Sequence, residues 1–134
     1  MKAKINKRSL VQTLSHLHSV VEKRNTIPIL ANVLIEARDK NLILAATDME
    51  IAELQSIYCE VLQEGAVTTP AHILYDIVRK LPDEAMIELE SKEGKKLDIK
   101  TDKISFSLMC LPPNDFQIYI RENILKGLIL ILLV

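Results

Sequence analysis

The sequence predicts an α+β fold: one domain of two β-α-β-β-β units, with helices on one face and antiparallel sheets on the other. Three observations lead there. A Thr-Asp pair sits between apolar-rich runs twice, in LILAATDMEIAEL (residues 42–54) and in LDIKTDKISFSL (residues 97–108). A stretch with helical apolar spacing precedes each. The runs around each pair alternate apolar and polar with period two. With 134 residues, 49% hydrophobic and 26% charged, the chain has enough apolar side chains for one core and is too apolar for a disordered segment.

In the first half, Lys2 to Ile5 suits a short strand. Asn6 can cap a helix carrying Leu10, Leu14, Leu17 and Val21 on one stripe, and Asn25 and Pro28 break it. Val33 to Ala37, Leu42 to Ala46 and Ile51 to Ile57 read as three strands, with a turn over residues 38–41. In the second half, Val67 to Thr69 is the opening strand. Thr69 and Pro70 then read as a helix start, followed by Ile73, Leu74, Ile77, Val78 and Leu81 at helical spacing, with Pro82 as the stop. Ile87 and Leu89, then Leu97 and Ile99, then Ile104, Phe106 and Leu108 alternate with polar residues, as in a meander with one buried face. A helix and a three-stranded meander cannot each bury an apolar face alone, so two copies should share one core.

The domain is expected to span residues 1–116. Residues 117–134 match neither unit and are expected to be a divergent apolar tail rather than a domain. The segment ILKGLILILLV (residues 124–134) is too short for a membrane span of roughly 20 residues. It reads as a buried strand, an apolar tail or an interfacial segment. The N-terminal MKAKINKRSL has no apolar signal-peptide core behind it.

Charge is sorted along the chain, although its total is only −1. Residues 2–24 carry +5 and residues 70–82 carry +1, whereas residues 33–64 carry −5 and residues 83–102 carry −3. Read by element, this gives a positive helical layer and a negative sheet layer, a distribution that suits the phosphates of a nucleic acid.

Chemistry-bearing motifs point away from catalysis. There is no Gly-rich phosphate loop. His16 and His18 lie roughly 200° apart on a helix, which places them on different faces and reads as surface histidine. Asp48 and Asp102 each follow Thr at a strand-to-strand corner, where Asp bonds nearby amides. Cys59 and Cys110 have no CxxC spacing and no base partner, as expected of reduced thiols in a cytoplasm. No catalytic residue, metal ligand or cofactor is predicted.

RNTIPILANVLIEARDKNLILAATDMEI, then TTPAHILYDIVRKLP, then ISFSLMCLPPNDF, together resemble the first domain of the bacterial DNA polymerase III beta subunit, the sliding clamp, over residues 1–116. The resemblance implies the DNA clamp fold. It also implies a non-catalytic processivity subunit, one of several domains ringing double-stranded DNA without sequence preference, helices inward. DNA-directed DNA polymerase activity would attach to it only by membership of the complex. Arg24 and Arg79 match basic positions that face DNA in the family, with Lys23 and Lys80 beside them. His72 stands where the family often has a basic residue. Phe106 and Leu108 match positions where one subunit meets the next, and also suit plain core packing. Polymerase III and the clamp loader would be partners of an intact member, whose peptide-binding cleft lies in later domains. The compartment implied is the cytoplasm, and no membrane partner is expected.

After LPPNDF the sequence departs from the family, which continues with Pro; here Gln117 follows. A frameshift or early stop in a clamp gene would give that pattern. Weak, salt-sensitive DNA binding and no processivity alone are the corresponding expectations. The alternative is a non-catalytic protein-interaction module, or a non-functional gene remnant, with an apolar docking tail.

Overall fold

The first strand, β1 (Lys2–Asn6), does not join the three strands that follow the first helix; it crosses to those of the second half. The structure is a computed structural model and describes residues 1–21, 28–48, 51–125 and 130–133. Helix α1 (Lys7–His18) follows β1. After it come a 3₁₀ turn (Pro28–Ala31), β2 (Asn32–Arg38), β3 (Asn41–Thr47), β4 (Ile51–Tyr58) and β5 (Glu60–Gln63). The second unit runs β6 (Gly65–Pro70), α2 (Ala71–Arg79), β7 (Met86–Glu90), β8 (Lys96–Lys100) and β9 (Ser105–Met109). Helix α3 (Pro113–Leu125) and β10 (Leu130–Leu133) complete the order.

The strands form two five-stranded sheets, ordered β5-β1-β7-β8-β9 and β10-β4-β3-β2-β6. Each meander thus takes the opening strand of the other unit. Lys4 lies opposite Glu88 in the first sheet, and Leu34 opposite Thr68 in the second. Both sheets turn apolar residues onto one core: Ala3, Ile5, Ile87 and Leu89 from one, Val33, Ile35, Leu42 and Leu44 from the other. Leu10, Leu14, Leu17, Leu74 and Val78 close it from the helices.

The internal repeat extends to details. The Asp48 amide donates to the Ile51 carbonyl, and at the other corner the Thr101 amide donates to that of Ile104. The amide of Cys59 donates to the carbonyl of Lys40 at 2.9 Å, and that of Cys110 to Lys95 at 2.9 Å. Each cysteine marks where the chain leaves one sheet for the other: β5 goes on to pair with β1, and Leu111 bridges Thr68 in β6.

Three expectations need correction. Thr69 does not cap α2. It is buried within β6, and Pro70 stands at the cap with no side-chain cap bond. The ladder explains why: Val33 to Thr69 and Asn32 to Pro70 are paired positions, so the strand runs up to the helix. At the second corner Thr101, not Asp102, does the bonding, its Oγ1 accepting from the Ile104 amide at 3.2 Å. At the first corner Asp48 Oδ1 accepts from Ile51 at 3.0 Å, as expected.

Helix α3 follows the two units and lies on the side of the second sheet away from α1 and α2. Leu34, Ala45 and Leu54 are successive cross-strand partners on that face, and Phe116 of α3 is buried against them. The third correction concerns charge and is taken up with the site.

Candidate nucleic-acid interface

The helical layer is made by α1 against α2. Asn6 caps α1, its Oδ1 accepting from the Ser9 amide at 2.9 Å. The leucine stripe turns inward, so Gln12 and His16 face out. Helix α2 ends at Arg79 with Lys80 as its C-cap, and a cation there also meets the negative end of the helix dipole.

Arg79 is exposed. Its Nε donates to Asp76 Oδ1 at 3.1 Å, and its guanidinium carbon stands 5.9 Å from the centre of the Tyr75 ring. Asp76 and Tyr75 thereby hold the arginine along the helix surface while half its side chain remains in water. Lys80 is exposed and forms no ion pair among the described residues. Lys23 and Arg24 lie outside the described residues.

His72 is half-buried in the first turn of α2, where its ring meets that of His18 edge-on at 4.2 Å between centroids. His18 also lies 4.9 Å from Tyr75. His72 and His18 therefore belong to the packing between the two helices, whereas His16 is exposed and contacts Gln55 Nε2 at 3.3 Å.

The positive helical layer read from segment charges is mostly dispersed. Lys2 and Lys4 sit on β1, within a sheet. Lys7 is buried at the start of α1 and its Nζ donates to Asp83 Oδ1 at 2.7 Å; Arg8 pairs with Glu84 at 2.7 Å. The count by segment joined a strand to a helix and ignored the acidic loop after α2. Those two acids meet the first turn of α1, where the Ala85 carbonyl also accepts the Lys7 amide. The Lys7 hydrogen bond, then its charge, hold the Asp83 carboxyl below the usual range.

Phe106 and Leu108 lie opposite Ile99 and Leu97, so both turn toward the helical side of the first sheet. Leu108 packs against the core, while Phe106 stays 40% exposed on the outermost strand. Beside it is a cleft of about 280 Å³ lined by Ile73, Ile77, Leu81, Ile104 and Phe106, with Asp76 and Lys80 on its rim. Only the tertiary arrangement reveals this cleft, because the helix and strand that line it are far apart in sequence.

Among the described residues no three His, Cys, Asp or Glu side chains gather where a metal ion could be held. Burial raises both thiols, Cys110 to about 11, so neither is a thiolate near neutral pH. No described helix is long and apolar enough to cross a membrane.

Comparison with known proteins bears on this arrangement. The family described as "DNA polymerase III beta subunit, N-terminal domain" matches residues 1–120. The beta sliding clamp of Caulobacter vibrioides is 41% identical over 125 residues, which cover 92% of this chain and 34% of that protein. That of Rickettsia felis is 40% identical over 116 residues, covering 87% and 30%. The chain thus spans about a third of the length of these relatives. A crystal structure of the Caulobacter crescentus beta sliding clamp superposes with a TM-score of 0.83 at 42% identity, covering 87% of this chain and 31% of that one. The DNA polymerase III subunit beta of Pseudomonas aeruginosa gives 0.82 at 34% identity, covering 87% and 31%. The fold described above is shared with these clamp structures over most of the chain, and the chain belongs to the DNA polymerase III beta subunit family, by its N-terminal domain.

Proposed function

We propose that the chain acts as a domain of a sliding clamp, a processivity factor that holds a replicative polymerase on double-stranded DNA. The observation that carries this reading is the family match over residues 1–120 together with a pair of helices whose exposed cations, Arg79 and Lys80, stand at one helix end. Arg79 and Lys80, with Lys23 and Arg24 from outside the described residues, meet phosphates without reading bases, since phosphate contacts carry no sequence information. Loose contacts of this kind permit sliding; base-specific hydrogen bonds would stop it.

Phe106 and Leu108 form the edge that meets another clamp domain or subunit. Residues 1–116 are the clamp domain proper, and residues 117–134 are an appendage to it. Polymerase III and the clamp loader are the further partners, and the setting is the cytoplasm. The role is not catalytic: the chain carries no nucleotide-incorporating chemistry of its own, and polymerase activity belongs to the complex.

Titration of a fluorescent duplex across a salt series tests the DNA face. Affinity should be weak and the same for unrelated sequences. Arg79→Ala with Lys80→Ala should lower the slope of log affinity against log salt by about 1–2, one for each phosphate no longer neutralised. An unchanged slope would remove these two residues from the interface.

A further inference from the structure

We infer that β10 is a built-in cap on the β4 edge of the second sheet, closing an edge onto which the β9 edge of a second copy of this chain would otherwise add. The inference rests on the reading above that β9 is an association edge, and it concerns the opposite end of the domain.

The internal repeat makes β4 and β9 corresponding strands. Each is the last of its meander, each follows a Thr-Asp corner, and each ends at a cysteine whose amide bonds a turn lysine carbonyl. Each would therefore present an unpaired backbone edge. The two edges are not left alike. No other strand pairs with the outer side of β9 over Ser105–Met109 among the described residues. The outer side of β4 carries β10, with Leu130 opposite Ile51 and Leu133 opposite Leu54.

The cap is of a kind that can be displaced. It pairs in parallel, the less stable arrangement per residue, and covers only four of the eight residues of β4. Gln55 to Tyr58 lie beyond it, and Tyr58 is 76% exposed. A β9 strand from a second copy is five residues long and carries no charge, so nothing in SFSLM repels the buried Glu53 carboxylate of β4. Joining β9 of one copy to β4 of the next is a heterologous contact, which repeats instead of closing on itself in a pair. With β10 in place that repetition has nowhere to start.

The test uses the whole 134-residue chain with Ile131→Pro and Leu132→Pro together, because only one of two consecutive amides in a strand faces its neighbour. Hydrogen exchange reads the edge and sedimentation reads the mass. The expected result is at least about tenfold faster exchange at residues 51–54, unchanged protection in β7 and β8, and a mass that grows with concentration beyond that of the parent. Adding Phe106→Lys should abolish the growth and leave the fast exchange. Protection at 51–54 equal to the parent's, or exposure of β4 with no gain in mass, would overturn the cap. Growth that Phe106→Lys fails to reverse would instead overturn β9 as the occupant. If the double variant loses protection throughout, the two single proline variants give the same reading, since only one of them removes a ladder amide.

Discussion

Lys7 shows how a residue can look like part of a cationic surface and be a structural tie. It is buried, and it joins the first turn of α1 to Asp83 in the loop between α2 and β7. The bond lowers the Asp83 pKa, so its contribution is present above the unfolded value of about 3.9 and is lost as the pH falls through the lower folded value. Urea unfolding should therefore find Asp83→Asn less stable than the parent at pH 7, with the two converging as the pH drops below that range. The gap should be small, because Asp83 is largely in water, and salt should narrow it. A gap that persists unchanged into strong acid would mean that the carboxylate is not its source. Thr101 teaches a similar lesson. Thr and Asp both offer a side-chain oxygen at a corner, and sequence alone does not say which one the local backbone will bring to the free amide.

At the level of elements, legibility followed how strongly packing enforces a period. The leucine stripe of α1 and the alternation of β7 and β8 were readable because each has one side in the shared core. Asn6→Ala should cost about 1 kcal/mol in chemical denaturation, the usual value of a helix N-cap, and no loss would remove Asn6 from that role. Other elements left weaker marks. Strand β5 has only Val61 half-buried among its four residues, so its pairing with β1 leaves no alternation to read. Helix α3 has a single described buried residue, Phe116, set just after two prolines. Strand β10 is apolar throughout and so has no period at all. Of the candidate site, the position of Arg79 and Lys80 at the end of α2 was readable from the IVRKLP run. The neutralisation of Lys7 and Arg8 was not, because it depends on a loop 76 residues away.

On the scale of the whole molecule, the two units share one core and each completes the other's sheet, so they should not melt separately. Leu44→Ala, a substitution in the first unit, should cost about 2–5 kcal/mol. It should also raise hydrogen exchange as much in β7 and β8 as in β2 and β3. A loss of protection confined to the first unit would show two independently stable halves. The placement of β1 has a further consequence for how the chain is made. During synthesis Lys2–Asn6 emerge first, but their second neighbour, Met86–Glu90, comes off the ribosome last of the pair. The opening segment must wait until residues 86–90 have emerged before its backbone is fully paired, and in that interval it is open to a chaperone or a protease.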